Sequence, residues 1–97
     1  MSSKVDLFAR PRLAPKARLR EDRVSGGSLL LYPEKGLALN ETAAEILRLC
    51  TGEVTVAEII ERLVAKYGDE RRDVLAAEVE AFLRSLADRN LLRGVER

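Results

Sequence analysis

The chain has 97 residues, of which 46% are hydrophobic, and its formal net charge is +1. This length predicts one globular domain with a small core, and no stretch approaches the roughly twenty apolar residues of a membrane span. One cysteine, Cys50, excludes an internal disulfide, and the absence of histidine excludes the usual zinc sites and acid–base pairs. We therefore expect a cytoplasmic, non-enzymatic protein that uses no metal or other cofactor.

The N-terminal segment is strongly basic. Residues 1–20 hold six lysines and arginines against one acidic residue, Asp6. Because residues 1–15 contain Pro11 and Pro15 and show little periodicity, they are predicted to form a flexible basic arm, with residues 16–97 as the folded domain. Such an arm is suited to nucleic acid, acidic proteins or membrane headgroups, but we interpret it as a solvated tail.

Three short strands are predicted after the arm. Residues 17–24, "ARLREDRV", alternate as an exposed strand, and "SGG" supplies the glycine-rich turn that follows. The apolar run "SLLLY" (28–32) predicts a buried strand, and Pro33 to Gly36 predicts a turn into "GLAL" (36–39). The third strand is expected to lie at an edge of the sheet.

Three helices are predicted after the strands. Asn40 is suited to cap a helix over "ETAAEILRLC" (41–50), and Thr55 with Glu58 has the spacing of a capping box for the helix that Gly68 ends. The third helix is predicted to run from about Arg71 to Arg89. Its buried stripe is expected to comprise Leu75, Val79, Phe82, Leu83 and Leu86, and Leu91 and Leu92 are expected to fold back as an apolar plug.

A run of strands followed by a run of helices predicts an α+β fold, namely a winged-helix-like, three-stranded antiparallel sheet followed by a three-helix bundle. A winged helix would insert its last helix into the DNA major groove, where phosphate contact requires lysine and arginine. Residues 69–90 instead contain four arginines and six acidic residues. The charge therefore disfavours nucleic-acid binding, which is kept as an alternative.

The edge strand suggests a different function. Unpaired backbone groups at a sheet edge accept an extended peptide as an additional strand, and neighbouring side chains then select the peptide. A stripe on the third helix, Arg71, Val74, Glu78 and Ala81, is suited to form the wall of such a groove. Periodicity does not decide which flank of the helix faces the strand.

Five segments occur together in an order that resembles the coenzyme PQQ biosynthesis protein D family, PqqD, over about residues 11–93. They are "RPRLAPKARLREDRV", "LLLYPEKG", "LNETAAEILRLCTG", "TVAEIIERL" and "VEAFLRSLADRNLL". The resemblance implies a non-catalytic peptide recognition element of ribosomal-peptide modification. Its implied partners are the precursor peptide PqqA and the radical S-adenosylmethionine enzyme PqqE, to which it would present the peptide.

In this family the peptide adds a strand between the third strand and the third helix. The resemblance implies these peptide-binding residues: Leu37, Ala38, Leu39, Arg71, Val74, Leu75 and Glu78. Backbone pairing of the peptide is expected along residues 36–40, which adds Asn40 to the predicted site. Two positions depart from the common family pattern, because Thr51 and Glu78 each stand where the family often has aspartate. The alternatives are a carrier of PQQ or a quinone intermediate, and a winged-helix DNA-binding protein. We expect a monomer or weak dimer that binds neither nucleic acid nor membranes.

Overall fold

A computed structural model describes residues 5–21, 26–33 and 35–95 of the chain. It contains two antiparallel sheets and three α-helices within the described ranges. The strands are β1 (Arg12–Leu13), β2 (Arg18–Glu21), β3 (Ser28–Tyr32), β4 (Lys35–Leu39) and β5 (Leu92–Arg93), and the helices are α1 (Glu41–Arg48), α2 (Val56–Tyr67) and α3 (Arg72–Asp88). The predicted α+β class, with a three-stranded sheet and three helices, is confirmed.

The larger sheet has the order β2-β3-β4, so β4 is an edge strand as predicted. Leu30 of β3 is fully buried and pairs with Leu19 on one side and Leu37 on the other. Because directly paired residues project to the same face, this row forms the inner face that packs on the helices. The strand predicted over 17–24 is β2, which ends at Glu21 within the described residues, and residues 22–24 lie outside them.

Helix α1 follows β4 directly because Asn40 caps it. The Asn40 side chain accepts a hydrogen bond from the Ala43 backbone N–H at 2.8 Å, and Glu41 lies in the positive first turn. The helix ends at Arg48, two residues before the predicted end, and it contacts all three strands of the larger sheet.

The predicted capping box of α2 is confirmed. Thr55 Oγ1 accepts a hydrogen bond from the Glu58 N–H at 3.1 Å, and Glu58 Oε1 accepts one from the Thr55 N–H at 2.9 Å. Gly68 ends the helix with a φ of 111°, a conformation that favours glycine.

Helix α3 packs against α2 and begins after a 3-10 turn over Asp69–Arg71. Its buried stripe comprises Leu75, Val79, Leu83 and Leu86. Phe82, which was predicted in this stripe, is only half-buried and lies at its edge. Asn90 turns the chain with a φ of 61°, and Leu91 and Leu92 are buried as predicted.

The prediction of a loose N-terminal arm needs correction for residues 5–15. Val5 and Ala9 belong to the core, and β1 pairs with β5 in register Arg12↔Arg93. The backbone carbonyls of Ala9 and Leu7 accept hydrogen bonds from Val56 and Ala57, each at 2.9 Å. These contacts satisfy N–H groups in the first turn of α2 that have no partner within the helix.

This docking leaves no periodic signal in the sequence, because β1 is too short to show a period of two and its partner strand is distant in sequence. The boundary predicted at residue 16 therefore divides segments that share one core. Residues 1–4 lie outside the described part of the chain. No helix within the described residues is long and apolar enough to cross a membrane.

Candidate functional site

A groove lies between the beginning of α1 and one flank of α3. Its volume is about 470 Å³. It is called the α1–α3 groove here, and its lining residues are Asn40, Thr42, Ala43, Ile46, Arg71, Glu78, Ala81 and Phe82. Because Asn40 follows the last residue of β4, this groove begins where the edge strand ends.

The lining combines an apolar surface with two charges. Ile46, Ala81 and Phe82 supply apolar contact area, while Arg71 and Glu78 are exposed on the α3 side. Seven positions separate these two charged residues, which corresponds to a helical rise of roughly 10 Å. The arrangement suits an extended segment with apolar side chains and charges of both signs.

Some of the other charged residues near α3 have acidic or basic partners. Arg72 pairs with Glu61 and with Asp69, and Lys66 pairs with Glu45. Neither Arg71 nor Glu78 forms an ion pair with any of the described residues. Since these two side chains are exposed, pairing them with a ligand avoids the large desolvation penalty of a buried ion.

The eight predicted peptide-binding residues lie in distinct environments. Asn40, Arg71 and Glu78 line the α1–α3 groove, and the structure shows that this flank of α3 faces α1. Val74 is 50% exposed but does not line the groove. Leu75 is 3% exposed and belongs to the core, so it has no surface to offer a ligand and its assignment to the site is corrected.

The three β4 residues also differ from one another. Leu37 and Leu39 pack against the core, whereas Ala38 is exposed on the opposite face of the strand. Leu39 lines a separate groove of about 320 Å³ beside α1, between β4 and the connection of β2 to β3. Their side chains therefore do not line the α1–α3 groove, and any shared contact with a ligand would use the β4 backbone.

Asn40 caps α1 and also lines the α1–α3 groove. Its Oδ1 atom accepts the Ala43 N–H, so only the amide nitrogen of the side chain is left to donate to a ligand. Replacing Asn40 would therefore remove the cap of α1 along with any ligand contact.

Four lining residues were not among the predicted site residues: Thr42, Ala43, Ile46 and Phe82. Phe82 lies four positions after Glu78 and follows Ala81, so helical spacing alone places it beside the predicted stripe. No sequence signal brings the α1 residues to the groove, because their position depends on how α1 packs between the sheet and α3.

Within the described residues, no cluster of cysteine and acidic side chains is arranged to hold a metal ion. Cys50 is 5% exposed, and its Sγ atom donates a hydrogen bond to the Ile46 carbonyl oxygen at 3.3 Å. Burial raises the pKa of the Cys50 thiol to about 12, so the reactive thiolate is disfavoured at neutral pH. Cys50 is a structural core residue.

Comparison with known proteins identifies the family. The family model for coenzyme PQQ synthesis protein D (PqqD) matches residues 27–92. A protein of Rhodopseudomonas palustris (strain HaA2) named PqqA binding protein is 42% identical over 84 residues, covering 87% of this chain and 81% of that protein. A protein of the same name from Gluconobacter oxydans (strain 621H) is 37% identical over 75 residues, covering 77% of each chain.

The fold is also similar to a solved structure, the PqqD truncation of Methylobacterium extorquens PqqCD. The TM-score is 0.72 at 33% sequence identity, and the match covers 86% of this chain and 87% of the other. That solution NMR structure is described as a functional and stand-alone recognition element for ribosomally synthesized and post-translationally modified peptides. The matches extend over most of the chain, which therefore belongs to the coenzyme PQQ synthesis protein D (PqqD) family.

Proposed function

We propose that this protein is a non-catalytic peptide-binding adaptor of PQQ biosynthesis, which binds a PqqA-type precursor peptide and presents it to the radical S-adenosylmethionine enzyme PqqE. The names of its relatives support the peptide class. The observation that carries the proposal is the exposed edge of β4, which leads into the α1–α3 groove. The proposed binding requires no cofactor.

The strand register indicates which backbone groups of β4 are available. Tyr32 pairs with Lys35, two residues before Leu37. The pair that closes a tight hairpin normally exchanges backbone hydrogen bonds, so we take Tyr32 and Lys35 as a bonded pair. Bonded and non-bonded pairs alternate along an antiparallel ladder, so Leu37 and Leu39 bond to β3. We infer that the N–H and C=O groups of Gly36 and Ala38 point away from β3 and pair with the peptide.

The side chains at these two positions suit the approach of another strand. Gly36 has no side chain, and Ala38 has a single exposed methyl group. Backbone pairing at this edge supplies affinity for any extended peptide and therefore little discrimination. Selectivity is assigned to the α1–α3 groove, where Arg71 faces an acidic side chain of the peptide and Glu78 faces a basic one, on either side of an apolar contact with Phe82.

Isothermal titration tests the proposal. The protein is titrated with the PqqA-type peptide of the same organism, and a scrambled peptide of identical composition serves as the control. We expect one-to-one binding of the native sequence and at least about tenfold weaker binding of the scrambled peptide, because only the native order places apolar and charged groups along the groove. Equal binding of both peptides, or binding of neither to the folded protein, would contradict the proposal.

A second candidate function is carriage of PQQ or a quinone intermediate. The observation that favours it is a cleft of about 450 Å³ whose lining includes Lys16, Asn90 and Arg93. Cationic and amide groups are suited to bind the carboxylates of a planar, anionic quinone. Equilibrium dialysis with PQQ tests this function, and saturable binding that Arg93→Glu abolishes would support it.

A further inference from the structure

The outer face of the larger sheet points away from the helices and differs sharply from the inner face. Register places its six residues in two rows, one of Arg18, Leu31 and Gly36, the other of Arg20, Leu29 and Ala38. Each row runs from a basic residue on β2, through a leucine on β3, to a small residue on the β4 edge. These six residues are called the outer sheet face.

The two leucines form an apolar centre that the core does not use. Leu29 and Leu31 are half-buried, yet neither belongs to the core cluster or packs against it. Leu31 leans toward the β4 edge, because a Cβ atom on Gly36 would lie 3.1 Å from Leu31 Cδ2. The apolar surface therefore extends from the middle strand to the edge strand.

The two arginines give this surface a definite charge. Arg18 and Arg20 are exposed, and neither forms an ion pair within the part of the chain that the structure describes. Arg48, at the end of α1, differs because it pairs with Glu21 at 2.8 Å. Two unpaired guanidinium groups along the β2 side of an apolar centre are complementary to a protein surface with apolar side chains and carboxylates.

The outer sheet face is also continuous with the proposed peptide site. Side chains of a strand alternate between the two faces of a sheet. A peptide paired with Gly36 and Ala38 therefore directs one set of side chains toward the α1–α3 groove and the other set onto the outer face. A protein that covers Leu29 and Leu31 would contact these peptide side chains at the same time.

We propose that the outer sheet face docks the enzyme that modifies the peptide, through an acidic enzyme surface with an apolar centre. The proposal rests on the proposed function and adds the location and chemistry of the second interface. The domain holds the peptide from the helix side by the groove and leaves the opposite side of the extended sheet to the enzyme. Recognition of the domain and recognition of the bound peptide thus occur on one surface.

Charge reversal of the two arginines tests this docking. PqqE of the same organism is titrated against the protein with and without fluorescently labelled peptide, and binding is followed by anisotropy and sedimentation. The variant Arg18→Glu/Arg20→Glu is compared with the control Arg62→Glu/Arg89→Glu, which makes the same charge change at exposed positions of α2 and after α3. A milder pair, Arg18→Gln/Arg20→Gln, removes the charge without reversing it.

We expect the reversal to weaken enzyme binding to the domain–peptide complex at least about tenfold, the glutamine pair to weaken it about threefold, and the control to stay within about twofold of the original protein. Affinity for the peptide alone should be unchanged in all three variants. Equal losses in the reversal and the control would overturn the proposal, as would enzyme binding that none of the variants changes. A concentration-dependent dimer abolished by Arg18→Glu/Arg20→Glu would assign the face to a second copy of the chain and also overturn it.

Failure of the proposed function gives a different result. In that case the original protein does not bind the labelled peptide, and the docking face is judged by the effect of the reversal on enzyme binding to the peptide-free protein. A loss of at least about tenfold there, against the unchanged control, would still support docking at this face.

Discussion

Gly94 lies against the backbone of Arg10, and a Cβ atom built on Gly94 would be only 2.9 Å from the Arg10 carbonyl oxygen. Gly94 also has a φ of 76°, a conformation that favours glycine. This contact joins the N-terminal segment to the end of the chain beside the β1–β5 pair. It is one of the contacts that make residues 5–15 part of the folded domain.

Gly94→Ala is therefore expected to destabilise the protein for two reasons. Alanine is strained at this φ, and its Cβ atom would clash with the Arg10 carbonyl oxygen. Gly26 provides a matched control, because its φ is also 76° but no atom of the described residues lies within 4 Å of its Cβ position. We expect Gly94→Ala to lower the free energy of unfolding by roughly 2–3 kcal/mol and Gly26→Ala by about 1 kcal/mol. Urea denaturation measures both values, and equal losses would show that the Arg10 contact contributes little.

Glu78→Lys tests the charge selectivity of the α1–α3 groove. Reversing this exposed charge should repel the basic peptide side chain that we assign to it, and we expect peptide affinity to fall about three- to tenfold. Asp73→Lys is the matched control, since Asp73 is an exposed acidic residue of α3 that does not line the groove. Isothermal titration compares the two variants, and equal effects would indicate that only net charge matters.

Proline substitutions along β4 test the inferred direction of its backbone groups. Ala38→Pro removes an N–H that we expect to face the peptide, so peptide affinity should fall about fivefold while the fold is retained. Leu37→Pro removes an N–H that bonds to β3 and should instead lower the melting temperature. Titration and thermal denaturation of both variants separate these effects. If Leu37→Pro lowered peptide affinity and Ala38→Pro lowered the melting temperature, the N–H of Leu37 would face the peptide and that of Ala38 would bond to β3.

Cys50 should make the stability of the protein sensitive to alkaline pH. Burial raises the pKa of this thiol from 9.0 to about 12, so the unfolded chain releases its proton at a lower pH than the folded protein does. The contribution of Cys50 to the free energy of unfolding is constant below about pH 9. Between pH 9 and 12 it falls by up to about 1.4 kcal/mol per pH unit.

Cys50→Ala should lack this component, and the difference between the two pH profiles isolates it from the titration of lysines and tyrosines. In the folded protein at pH 8, a thiol reagent should react with Cys50 only as fast as the protein unfolds. Rapid modification without denaturant would contradict the buried, structural assignment.

Several local features were predictable because their causes lie within a few residues of sequence. The spacing of Thr55 and Glu58 specifies the capping box of α2, and Asn40 before Glu41 specifies the start of α1. Apolar periodicity indicated most of the buried stripe of α3, because a helix repeats every 3.6 residues whatever lies beside it. The strand predicted over 36–39 is β4, but the turn predicted over Pro33 to Gly36 is too long, because Lys35 and Gly36 already pair with β3.

The N-terminal docking and the composition of the site depended on contacts distant in sequence. Arg12 meets Arg93 across the β1–β5 pair, and neither two-residue strand carries a periodic signal of its own. Leu75 was predicted both in the buried stripe and in the site, and it lies in the core. Phe82 was predicted in the stripe, and it packs at the edge of the core while also lining the α1–α3 groove. Periodicity gives the direction of the apolar stripe but not the angle at which α1 meets α3.

The sequence by itself determined the α+β class, the caps, the edge position of β4 and the resemblance to the PqqD family, because each depends on local chemistry or on the order of motifs. Only the tertiary structure decided that one flank of α3 forms a groove with α1, that Arg71 and Glu78 remain unpaired by the described residues, and that Leu29 and Leu31 lie outside the core. The reason is physical, since helix packing and sheet register are set by the simultaneous burial of side chains from distant parts of the chain.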